Sequence, residues 1–169
     1  MISNFPKVLV ICESPFSLDN GFGVTLSNLF LGWPSDCLGL FYFSKAYKAS
    51  HRKVAVQSHA HVPASPSRRH ALPMLLGIRP EWRGCYSHAW LHTKLKGFKP
   101  DLVYSFICSE SSMYFGGWIA NRLSIPHVIH VGDDGLTMAS CTTKYIQESS
   151  HCIAISDEMA IEYLRRYGR

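Results

Sequence analysis

Long apolar runs are missing from this sequence: none approaches the roughly 20 residues that a helix needs to span a bilayer. The opening residues, MISNFPKVLVICESP, have no basic segment ahead of a long apolar stretch, so they do not read as a signal peptide. Paired cysteines are missing too. The six cysteines (Cys12, Cys37, Cys85, Cys108, Cys141 and Cys152) include no Cys-x-x-Cys, which argues against a zinc ribbon, a redox motif or a disulfide framework. Cys12, Cys108 and Cys152 fall in or at the ends of apolar runs. The expectation is reduced, half-buried thiols in a cytoplasmic protein. Charge is modest, at 17% of residues against 47% hydrophobic, which excludes a disordered chain and suits one globular domain over all 169 residues.

One absence is local. From Lys45 to Lys99 there is a single acid, Glu81, against eleven Lys or Arg and six of the nine histidines. Such an excess either attracts anions (phosphates, acidic sugars or a lipid surface rather than nucleic acid) or forms a solvated face that aids solubility. Within it, residues 68–83 interleave Arg68, Arg69, Arg79 and Arg83 with Leu72, Met74, Leu75, Leu76, Ile78 and Trp82. That pattern suits peripheral contact with a membrane surface, through an element that Pro73 and Pro80 break.

What is present is an alternation. KVLVIC (Lys7–Cys12), CLGLFYFS (Cys37–Ser44), Leu102–Ile107, HVIHV (His127–Val131) and CIAIS (Cys152–Ser156) read as strands, with one more short strand near Val54–Gln57 or His59–Val62. Helical segments lie between them. GVTLSNLFLGW runs to Trp33 before Pro34, and a second begins at Ser87 and ends at Gly97. A third is capped by Ser111 or Ser112 and carries a Gly116-Gly117 pair that needs close backbone packing. TMASCTTKYIQESS follows, and a last helix is capped by Ser156 and stopped at Gly168. Strand and helix in turn predict an α/β fold: a Rossmann-like, doubly wound parallel sheet with helices on both faces. Ligands bind beyond the carboxyl ends of such strands, which nominates Glu13-Ser14, the region of Ser44, Ser109-Glu110, Gly132-Asp133-Asp134 and Ser156-Asp157.

The loop SPFSLDNGFG, which opens the first helix, places Gly21, Phe22 and Gly23 where backbone N–H groups can face an anion. It is not a dinucleotide fingerprint, because Leu26 stands in place of a third glycine, nor is it a P-loop, because no Lys-Ser or Lys-Thr follows. A plain glycine turn would look the same. Asp133 and Asp134 suit sugar hydroxyls, a cation, a catalytic position or a helix cap. His88 and His92 lie one helical turn apart, but no third ligand has sensible spacing, and no metal is expected.

Taken in order, these units resemble the N-terminal half of the GT-B-fold glycosyltransferases, in the retaining group that uses nucleotide sugars. The resemblance rests on KVLVICESPF…NGFGVTLSNL, KPDLVYSF, IPHVIHVGDDG and HCIAISDEMAIEYLRRYG, and covers nearly the whole chain through order and spacing rather than any one motif. It implies an acceptor-side domain moving a sugar from a nucleotide sugar to a glycan, lipid or other acceptor, with no further cofactor. A second, donor-binding domain, implied as a partner, has no counterpart up to Arg169. Asp133 matches the family's Asp. Gly132 stands where many members carry a histidine, and His130, two residues earlier on the same strand face, is the candidate substitute. The resemblance thus makes Asp133 and His130 the catalytic candidates. Gly21, Phe22, Gly23, Glu110, Asp134 and Ser156 would line the cleft. Two other classes stay open: a self-sufficient nucleotide-binding protein of flavodoxin-like build, and a non-catalytic interaction domain that keeps the fold.

Overall fold

The computed structural model describes residues 5–18, 20–43, 54–62, 87–107, 110–132 and 140–168, with backbone alone at 110–111 and 140–142. Most of the basic middle, including residues 68–83, lies outside the described residues, as do Asp133 and Asp134.

Six strands form one parallel sheet: β1 (Val8–Cys12), β2 (Leu38–Tyr42), β3 (Ser58–His61), β4 (Leu102–Ile107), β5 (His127–Val131) and β6 (His151–Ala154). Their order is β3-β2-β1-β4-β5-β6, the Rossmann order, so the chain reverses its direction of travel between β1 and β4. Among the described residues, five α-helices connect or follow the strands: α1 (Gly21–Leu29), α2 (His88–Leu95), α3 (Glu110–Leu123), α4 (Ser140–Glu148) and α5 (Asp157–Tyr167). The predicted α/β fold is the one found.

The two faces are covered by different helices. Alternate residues of β1 point to opposite faces. Leu9 and Ile11 pack with Phe41, Leu91, Val103, Phe115 and Ile119, under α2 and α3. Val8, Val10 and Cys12 pack with Phe16, Leu26, Phe30, Leu40, Tyr104 and Phe106, under α1. A third cluster joins Ile107, Ile129 and Val131 to Tyr145 and Ile146 of α4 and to Tyr163 and Tyr167 of α5. All five side chains of β1 are buried, which explains why its sequence is an unbroken apolar run.

Some boundaries differ from expectation. The first helix ends at Leu29, not Trp33. Phe30 turns inward edge-on to Tyr104, Gly32 takes a left-handed φ of 81°, and Leu29 is left 48% exposed. Ser111 and Ser112 lie inside α3, which already begins at Glu110. Buried Ser112 lends its carbonyl to Ser105 Oγ at 3.3 Å. The Gly116-Gly117 pair does mark close packing. A Cβ on Gly116 would lie 1.9 Å from Ser105 Oγ, and one on Gly117 2.7 Å from the Tyr145 ring. α5 follows its reading closely: Ser156 Oγ accepts from Met159 N–H at 3.2 Å, and Gly168 closes the helix at φ 69°. The Cys12 and Cys37 thiols are buried and reduced, and that of Cys152 is reduced and half-buried. Among the described residues no helix is long and apolar enough to cross a membrane.

Candidate functional site

The carboxyl ends of β1, β4 and β5 meet beside the N-terminus of α1. β1 runs into the loop 13–20, and Asn20 caps the helix: its Oδ1 accepts from Gly23 N–H at 2.8 Å and its carbonyl from Val24 N–H at 3.0 Å. The cap uses the Gly23 donor. The Gly21 and Phe22 N–H groups have no partner among the described residues, and no acid sits in the first turn to neutralise the helix dipole.

The three residues GFG therefore differ in what they do. A Cβ on Gly23 would lie 2.9 Å from the carbonyl oxygens of both Pro15 and Ser17, so this glycine lets the loop fold back on the helix. Gly21 has open space where its Cβ would be. Phe22 is 38% exposed and sets its ring edge-on to Phe106, with centroids 5.9 Å apart.

Phe106 links this loop to β5. Its ring meets that of His130 at 4.9 Å, nearly perpendicular, and the two residues are register partners across β4 and β5. The same ring occupies the space above residue 132, where a Cβ would lie 2.8 Å from Phe106 Cζ. A histidine cannot stand at position 132 unless Phe106 moves. The same aromatic side chain thus keeps position 132 small and packs against the imidazole two residues earlier.

The protonation pattern follows from burial. Tyr104 and His130 share a short hydrogen bond between the phenol oxygen and Nδ1. Burial, with a smaller contribution from Cys12, raises the Tyr104 pKa far above its usual range, so the phenol keeps its proton. Burial also lowers the His130 pKa, favouring the neutral ring. The phenol O–H then donates to Nδ1, the proton of the imidazole sits on Nε2, and that N–H has no other protein partner among the described residues. The site therefore presents three neutral donors (the Gly21 and Phe22 N–H groups and His130 Nε2–H) beside a half-exposed aromatic face. Such a set complements phosphate oxygens or sugar hydroxyls.

Of the residues nominated from sequence, Gly21, Phe22, Gly23 and His130 come together here. Ser156 does not. It sits past the end of the edge strand β6, where its hydroxyl caps α5. The side chain of Glu110, together with Asp133 and Asp134, lies outside the described residues. Sequence reasoning missed Tyr104 and Phe106. Their two-residue spacing in LVYSFI puts them on one face, but only the register of β4 with β5 brings them to His130.

A second recess opens at the amino end of β5, between α3 and α4. It has a volume of about 60 Å³ and is lined by Gly117, Asn121, His127, Tyr145, Glu148 and Ser150 among others. His127 Nε2 lies 2.8 Å from Ser105 Oγ in this region. The recess is at the opposite end of the strands from the donor cluster. Among the described residues, no group of three or more His, Cys, Asp or Glu side chains is placed to hold a metal ion. No protein-family model matches the chain, and no curated protein matches it.

Proposed function

We propose that this chain is the acceptor-side domain of a GT-B-fold glycosyltransferase of the retaining, nucleotide-sugar-dependent group. The observation that carries the reading is the donor cluster at the reversal point of a β3-β2-β1-β4-β5-β6 sheet, where Phe106 joins the glycine loop to His130. The order of units (KVLVIC, NGFG, KPD, IPHVIHVGDDG) supports it from the sequence side.

In this reading the two N–H groups at the start of α1 face the donor diphosphate. His130 Nε2–H holds a hydroxyl of the transferred sugar, and Phe22 packs against a sugar ring. During transfer the bond from the anomeric carbon to the diphosphate breaks and a bond to the acceptor oxygen forms. The proton of the acceptor hydroxyl leaves with the diphosphate. The two N–H groups stabilise the negative charge that develops on the leaving diphosphate, and being neutral they place no full positive charge beside the oxocarbenium-like sugar. Asp133 and Asp134, next along the chain, position sugar hydroxyls. A donor-binding domain supplies the cationic groups for the leaving diphosphate. The basic middle meets an anionic acceptor or a membrane surface.

The test is a nuclear magnetic resonance titration of the chain with a panel of nucleotide sugars and free nucleotides. Amide shifts at Gly21 and Phe22 and ring shifts at His130 are expected with nucleotide sugars, and the amide shifts should be lost in His130→Ala. Shifts confined to the recess around His127, or none with any member of the panel, overturn the reading. Tight binding of a free nucleotide that ignores the sugar favours the self-sufficient nucleotide-binding class instead.

A further inference from the structure

The outer face of α5 has a pattern that its own fold does not use. Tyr163 and Tyr167 are buried against the core and Met159 packs beside them, so the helix has a well-defined inner side. Ile161 lies opposite these residues at 100° per position, and is 67% exposed. Leu164, three residues on, is 60% exposed. Asp157 and Glu158 lie one turn before Ile161 on the same outer face, and Arg165 one turn after it. Arg165 is held in place: its Nε and Nη2 donate to the two carboxylate oxygens of Glu162 at 2.8 and 2.7 Å, yet its side chain stays 70% exposed. The face therefore reads acid, apolar, base along the helix.

That sequence of properties is self-complementary under a two-fold axis. When two copies of the helix cross antiparallel at Ile161, Ile161 meets Ile161, with Leu164 flanking on each side. The acids at one end of each helix then lie against Arg165 of the other. The helix dipoles also oppose each other favourably in this arrangement. A partner that offered only an apolar surface would leave the charges at both ends unused.

We infer that the outer face of α5 is a homodimer interface, and that the partner is a second copy of this chain. The apolar part of this face is two side chains, Ile161 and Leu164, against the roughly 1,200–2,000 Å² of a standard interface, so the dimer is weak. This inference is independent of the glycosyltransferase reading, because α5 lies apart from the donor cluster.

Sedimentation velocity of the whole chain, from about 1 to 500 µM, tests it. A reversible monomer–dimer equilibrium is expected. Ile161→Glu with Leu164→Glu should weaken it by about a hundredfold or more. The sharper test uses charge. Asp157→Lys with Glu158→Lys in one protein, and Arg165→Glu in another, should each remain monomeric alone, because both ends of each self-pair then carry like charges. An equimolar mixture of the two should dimerise, because every end then meets its opposite. Far-ultraviolet circular dichroism checks that each variant is folded. A monomer throughout the concentration range overturns the inference. So does a dimer that the apolar substitutions leave unchanged, or a mixture no more associated than its components.

Discussion

His127 has an acid-sensitive position because of what surrounds it. Burial lowers its pKa to about 4, against 6.5 for an exposed histidine. Ser105 Oγ donates to the Ser112 carbonyl, which leaves its lone pair to accept from His127 Nε2–H. In the unfolded chain the imidazole takes up a proton near pH 6.5; in the folded protein it resists until about pH 4. The contribution of this group to stability is therefore complete above pH 6.5 and declines as pH falls toward 4, by about 3 kcal/mol in all. Urea titrations at pH 7 and pH 4.5 should show His127→Gln less stable than the parent at pH 7 but with a smaller acid loss. An equal loss in both proteins would move the sensitivity to another group. Gly116 is the matching constraint. Its missing Cβ is what admits the Ser105–His127 pair, so Gly116→Ala is expected to cost about 2–3 kcal/mol in the same titration.

At the scale of elements, the start of α1 separates two glycines that look alike in sequence. Gly23→Ala drives a methyl into the carbonyls of Pro15 and Ser17 and should lower stability by about 1–3 kcal/mol. Gly21→Ala meets nothing within 4 Å and should leave stability unchanged or raise it by up to about 1 kcal/mol. Thermal melts of the two variants check the contrast; equal effects would deny that Gly23 is a packing glycine. What the sequence made legible follows the same physics. β1, β2 and β4 are almost wholly buried and announce themselves as continuous apolar runs. The edge strands β3 and β6 are wet on one side, so the alternating burial of Ser58–His61 and His151–Ala154 left their limits imprecise. The caps of α5 were readable because Ser156 and Gly168 act locally. The donor cluster was only half readable. Phe22 and His130 stood in recognisable loops and strands, but Tyr104 and Phe106 join them through pairing across 26 and 24 positions of chain, which no local pattern encodes.

For the whole molecule, the reversal between β1 and β4 is where open α/β sheets take their ligands, and charge bears on what approaches. The eleven basic residues between Lys45 and Lys99 give one region a strong attraction for anions, with the apolar residues of 68–83 among them. Co-sedimentation with anionic vesicles is expected, weakening with salt and with the pair Leu75→Ala and Trp82→Ala. Arg substitutions that abolish binding while the apolar pair has no effect would assign the charge to a soluble anionic acceptor. Each basic residue near such a surface contributes about 1 kcal/mol, so four suffice for reversible attachment.

The same strand order also has a consequence in time. β1 is a central strand whose two neighbours are made at very different moments. β2 follows it closely, but β4 closes the other edge only after a long stretch of chain, and the bond from Lys7 N–H to Asp101 Oδ2 spans 94 positions. At a synthesis rate of roughly 5–20 residues per second, that interval lasts about 5–20 s. Throughout it, Val8–Cys12 emerges as an apolar strand with one open edge and half of its neighbours unmade. Nascent chains arrested before Leu102 should therefore be cleaved readily near β1 by a dilute protease. Chains arrested after β5 has emerged should resist.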